Sequence, residues 1–103
     1  RRKLSLDILK DFPNLSHIPP QGGMYLMLNI QATGMSGLSF ASKLLDVKKI
    51  AVMPGESFGE AASGHVRISL TLEDNKFSET FRSVCEFASD ISLEKDKKDP
   101  AQN

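Results

Sequence analysis

The side chain with the most chemical promise is Arg67, set in the run HVRIS at residues 65–69. Arginine is among the residues least often buried without a partner. Here Val66, Ile68 and Leu70 alternate with His65, Arg67 and Ser69, the period of a strand with one apolar and one polar face. On the polar face of an antiparallel sheet an arginine commonly meets only water. The other reading is a planar fork offered to a carboxylate through two parallel hydrogen bonds. A strand would hold that fork more rigidly than a loop. The residues alone leave both readings open.

Other reactive side chains carry less. His17 lies in a proline-flanked loop and His65 opens the strand; they have no helical HxxxH spacing and no carboxylate placed to complete a metal site. No partner is in view that would make either a general base. The string GESFG, residues 55–59, matches G-x-S-x-G only as letters, because a nucleophile elbow needs a strand–turn–helix and no helix follows. Lys48 and Lys49 close a helical pattern, where the helix dipole and solvent account for them. Cys85 is the only cysteine, so there is no intramolecular disulfide framework, and a reducing, cytoplasmic compartment is expected. The 13 basic and 13 acidic residues cancel, and nothing in the balance favours nucleic acid or an anionic membrane. No apolar run approaches the ~20 residues that cross a bilayer. RRKLSLDIL lacks the continuous apolar stretch of a secretory signal, and the start without methionine suggests a piece of a longer chain.

These residues need elements to position them. Leu4, Ile8, Leu9 and Phe12 fit a short amphipathic helix ended by Pro13 and Asn14. PNLSHIPPQGG, residues 13–23, is loop with at most a short extended piece. Met24, Leu26, Leu28 and Ile30 then alternate with Tyr25, Met27 and Asn29, a strand bounded by turn signals. Ser36 is placed to cap a helix in which Leu38, Ala41, Leu44 and Leu45 recur through Val47. Ile50–Met53 reads as a short strand halted by Pro54, and residues 54–64 as a loop. Thr71 and Asp74 resemble a capping box for a last helix carrying Phe77, Phe81, Val84, Ala88 and Ile91. The charged tail from residue 94 to 103 lacks an apolar anchor and is expected to be disordered. The order α–β–α–β–β–α predicts an α+β two-layer sandwich, a small antiparallel or mixed three-stranded sheet with helices on one face.

Three motifs in order say more than any one of them. Pro20, Gly22, Gly23, Met24 and Tyr25 form a Gly-Gly turn into a strand. Val52, Pro54, Gly55, Phe58 and Gly59 form a V-x-PG-x-x-FG loop, and Gly64, Arg67, Ile68 and Ser69 form a G-x-x-R-I-S strand. Over residues 13–91 this pattern resembles the C-terminal small domain of class I/II aminotransferases, fold-type-I pyridoxal-phosphate enzymes. The resemblance implies that Arg67 clamps the α-carboxylate of an amino-acid substrate, with Phe58 and Tyr25 lining the substrate entrance. It implies amino transfer from an amino acid to a 2-oxo acid, with pyridoxal 5'-phosphate as electron sink, in amino-acid metabolism or biosynthesis. It also implies a homodimer and a large domain that holds the cofactor.

The departures bear on what the 103 residues can do. Nothing resembles the family's Ser-x-Ser-Lys segment with the Schiff-base lysine. No catalytic or cofactor-binding residue is therefore assigned, and the isolated chain, a small domain over 1–93 plus the tail 94–103, is expected to be inactive. The alternative is a non-catalytic, ligand-sensing relative, such as the aminotransferase-like part of a transcription regulator.

Overall fold

The two alternating segments become the centre of a sheet, because each has an apolar row to bury. In the computed structural model, which describes residues 2–18, 25–69 and 74–98, β2 (Tyr25–Asn29) pairs antiparallel with β4 (His65–Ser69). Leu26 lies opposite Ile68 and Leu28 opposite Val66, and all four are 5% exposed or less. That row rests on three helices: α1 (Arg2–Leu9), α2 (Gly37–Lys48) and α3 (Asp74–Lys98). Ile8 and Leu9, Phe40 and Leu44, and Phe77, Phe81, Val84, Cys85 and Ala88 complete one continuous core. Phe77 and Phe81 stack at 5.4 Å, and Phe40 meets Phe87 at 5.8 Å, tying α2 to α3. Arg82 pairs with Asp11 at 3.1 Å where α3 passes the end of α1. The fold is the expected α+β, with the helices on one face of the sheet.

The sheet has four strands, not three, in the order β1-β2-β4-β3, all antiparallel. The added strand is β1 (Ser16–Ile18), whose Ser16, His17 and Ile18 pair with Asn29, Leu28 and Met27. Three residues are too short to display a period, so only a partner strand reveals them. The expected strand 50–53 shifts to β3 (Met53–Pro54), with Ile50 and Val52 packed against the core outside the ladder. Pro54 joins the strand instead of halting it. On an edge strand its missing N–H can face away from the neighbour.

Two further expectations change. Ser36 caps α2 as its position indicated, its Oγ accepting from Ser39 N at 3.0 Å. The buried stripe, however, is Gly37, Phe40, Ala41 and Leu44, while Leu38 and Leu45 are 61% and 52% exposed. Both stripes have helical spacing, and packing chose the one carrying the larger aromatic. Residues 94–98, expected in the disordered tail, continue α3 as helix. Pro20, Gly22, Gly23, Met24, Leu70, Thr71 and residues 99–103 lie outside the described residues, as does the side chain of Leu4.

Candidate functional site

Arg67 stands at the middle of the sheet face opposite the helices. Its neighbours across the ladder are Met27 on β2 and Met53 on β3. Tyr25 lies two residues from Met27 on the same face, the diagonal position within reach of a long side chain. The Arg67 Cζ sits 3.9 Å from the centroid of the Tyr25 ring. Phe58, at the end of the 3-10 turn Gly55–Phe58, covers the guanidinium from another side at 4.4 Å. Arg67 is half-buried, no carboxylate pairs with it among the described residues, and its Nε is buried with no hydrogen-bond partner. That donor is out of a ligand's reach, and the rest of the guanidinium, unpaired with any carboxylate of the described residues, is left for an acceptor from outside. Beside it lies a cavity of about 150 Å³ lined by Arg67, Tyr25, Ala51, Val52, Met53 and Ser69. Mostly apolar walls lower the local dielectric and strengthen any ion pair made there.

The loop that carries Phe58 is tied to the rest by one carboxylate. Glu56 Oε2 accepts from Gly64 N and Gly37 N at 3.0 Å each, and from Ser63 Oγ at 3.4 Å. Gly37 N is one of the first four amides of α2, which no helical carbonyl can satisfy. Glu56 therefore joins the start of α2, the 3-10 turn and the turn into β4. The Gly64 amide first, then the Gly37 amide and its own, lower the Glu56 pKa from 4.5 to about 2. A carboxyl whose folded pKa is depressed contributes stability above its unfolded value, lost as pH falls through the folded one. The chain should lose this contribution between about pH 4.5 and about pH 2. Because Glu56 is exposed, water screens the interaction, and about 1 kcal/mol, the worth of one helix cap, is the expected size. Denaturant melts across that window should show Glu56→Gln less stable at neutral pH and flatter in acid. Equal slopes for the two proteins would remove Glu56 from this role.

The structure brings Tyr25, Phe58 and Arg67 together and leaves the other reactive side chains elsewhere. His65 is buried, and its Nδ1–H donates to Ser63 O at 2.9 Å, which engages it with its own turn. His17 lies on β1, separated from β4 by β2. Lys49 is the C-cap of α2 and its Nζ donates to Asp46 O at 3.0 Å, while Lys48 lines a groove between α2 and α3. GESFG folds as a 3-10 turn. Burial pushes the Cys85 thiol up to about 12, an inert core position. Among the described residues no three His, Cys, Asp or Glu cluster to hold a metal ion, and no helix is long and apolar enough to cross a membrane. Sequence reasoning missed Glu56 and the wall Ala51–Met53. Two of the Glu56 partners are backbone amides 8 and 19 residues away, which no side-chain pattern signals.

The chain matches the family model for aminotransferase class I and II over residues 1–84. It is 38% identical over 91 residues to an arginine–pyruvate transaminase of Pseudomonas aeruginosa, covering 88% of this chain and 23% of that protein. It is 36% identical over 84 residues to an aspartate aminotransferase of Pyrococcus horikoshii, covering 82% of this chain and 22% of that protein. The crystal structure of an aromatic aminotransferase from Pyrococcus horikoshii superposes with a TM-score of 0.68 at 30% identity, over 91% of this chain and 24% of that one. Aspartate aminotransferase from Thermus thermophilus with maleate gives a TM-score of 0.64 at 29% identity, over 87% and 22%. The chain thus spans about a quarter of the length of the relatives it matches. A strand-borne arginine between two rings, on a fold shared with those proteins and a sequence that matches their family model, places this chain in the class I and II aminotransferase family.

Proposed function

We propose that this chain is the substrate-binding small domain of an aminotransferase that moves an amino group between an amino acid and a 2-oxo acid, with Arg67 clamping the α-carboxylate. The observation that carries the reading is the guanidinium itself: packed against Tyr25 and Phe58, half-buried beside a cavity, and without a carboxylate partner among the described residues. A carboxylate is the planar, doubly accepting anion that such a fork fits. The mostly apolar wall Ala51–Met53 beside the guanidinium would strengthen an ion pair made there. Relatives named for arginine with pyruvate, and for aspartate, support an amino-acid donor and a 2-oxo acid acceptor.

The family's cofactor, pyridoxal phosphate, supplies the electron sink for amino transfer when bound. The residues around Arg67 do not fit it: the cavity wall offers no amine to anchor its aldehyde and no cluster of donors for its phosphate. Lys43, Lys48 and Lys95 line the separate groove between α2 and α3. The cofactor and the catalytic lysine are assigned to a large domain and the enzyme to a homodimer, with residues 1–93 as the small domain. The 103 residues alone are expected to turn over no substrate.

The test is an amino-transfer assay of the full-length protein against a panel of amino acids and 2-oxo acids, beside the isolated chain. Formation of the new amino acid by the full-length protein alone supports the reading. Ligand binding without transfer by the full-length protein would replace it with a sensing role.

A further inference from the structure

Tyr25 and Phe58 are 44% and 46% exposed, so the core gains little from either ring. What they do cover is one cation. A guanidinium can meet a partner by stacking on its faces, by the edge carrying Nε, or by the end carrying the two Nη atoms. The Arg67 Cζ lies over both rings, 3.9 Å from the Tyr25 centroid and 4.4 Å from the Phe58 centroid, so the two rings crowd the guanidinium. The Nε is shut away from solvent and has no hydrogen-bond partner among the described residues, which closes the edge to a ligand. The Nη end is what remains for a ligand.

The geometry points to Tyr25 and Phe58 as positioning residues that act through Arg67, fixing the plane of its guanidinium so that it presents a substrate carboxylate with the Nη end. This deepens, and rests on, the carboxylate reading above, and it gives neither ring a contact with the reacting atoms. A free arginine loses side-chain entropy when it binds; one held between two rings has lost that freedom beforehand and binds more tightly for the same hydrogen bonds. Each ring face also attracts the cation, most strongly where water is partly excluded. The tyrosine hydroxyl has no part in this device.

The experiment uses the full-length protein and two readouts: steady-state kinetics, and equilibrium binding of the 2-methyl analogue of its best amino donor, which has no α-hydrogen to lose. Tyr25→Leu and Phe58→Leu should each raise KM and the analogue's Kd about tenfold, with kcat changed less than twofold, the scale of one partly desolvated cation–π contact. Tyr25→Phe and Phe58→Tyr keep a ring and should recover most of the affinity that the leucine variants lose. In an Arg67→Gln background the leucine changes should add less than twofold to the loss in kcat/KM, since no cation is left to position. Binding measured below each variant's melting transition keeps the reading independent of stability. A Tyr25→Phe loss equal to that of Tyr25→Leu would overturn the inference, as would leucine effects that multiply with Arg67→Gln. If Arg67→Gln itself leaves KM and Kd unchanged, the carboxylate reading fails; if it raises them and the leucine variants do not, only the positioning role fails.

Discussion

Arg67→Lys in the full-length protein is expected to raise KM for the amino acid about 100-fold while kcat falls far less. A lysine keeps the charge but replaces a planar fork with a compact ammonium that cannot give two parallel hydrogen bonds to one carboxylate. Charge-assisted hydrogen bonds contribute about 1.5–3 kcal/mol each, and 1.4 kcal/mol is a factor of ten, so losing one from a shielded site gives a change of this order. The ammonium would also lack the flat guanidinium that now packs against the Tyr25 and Phe58 rings. The loss should appear chiefly in KM, because the carboxylate is held before and after the bond changes at the α-carbon. Initial rates over a wide range of amino-acid concentration measure it. An unchanged KM would take Arg67 out of the clamp.

Gly55→Ala is expected to destabilise the chain by roughly 3 kcal/mol, the upper end for overpacking, and to disturb the site as well. A Cβ at Gly55 would stand 2.0 Å from Ala62 O and 2.7 Å from His65 O. Both atoms are backbone, so no rotamer change relieves the contact. Gly37 faces the same carbonyl, with a Cβ 2.3 Å from His65 O. These two glycines let the turn Gly55–Phe58 and the start of α2 close onto the chain entering β4, the closure that Glu56 then ties. Pushing Gly55 outward would shift Pro54 from Val66, part the short β3 pairing and lift Phe58 from Arg67. Thermal or denaturant melts give the stability loss, and the KM of the full-length variant gives the second effect. Wild-type stability for Gly55→Ala would mean the loop has room that the close approach denies.

What could be read from the residues was whatever repeats at the period of its own element. The strands at 25–29 and 65–69, the cap at Ser36 and the apolar stripe of α3 are local patterns, since a side chain two or four residues away shares the same face. The types and order of Gly64, Arg67, Ile68 and Ser69, with Val52, Pro54, Gly55 and Phe58 before them, were enough for the family and for Arg67 as its carboxylate candidate. What only the tertiary structure decided were relations between segments distant in the chain. β1 became a strand by finding β2, Pro54 joined the sheet at an unpaired edge, and α2 buried Phe40 and Leu44 while leaving Leu38 and Leu45 outside. Glu56 found its amides, and Tyr25 and Phe58, 33 residues apart, closed on Arg67. Periodicity tells which face a residue takes on its own element; only the packing of elements tells what that face will meet.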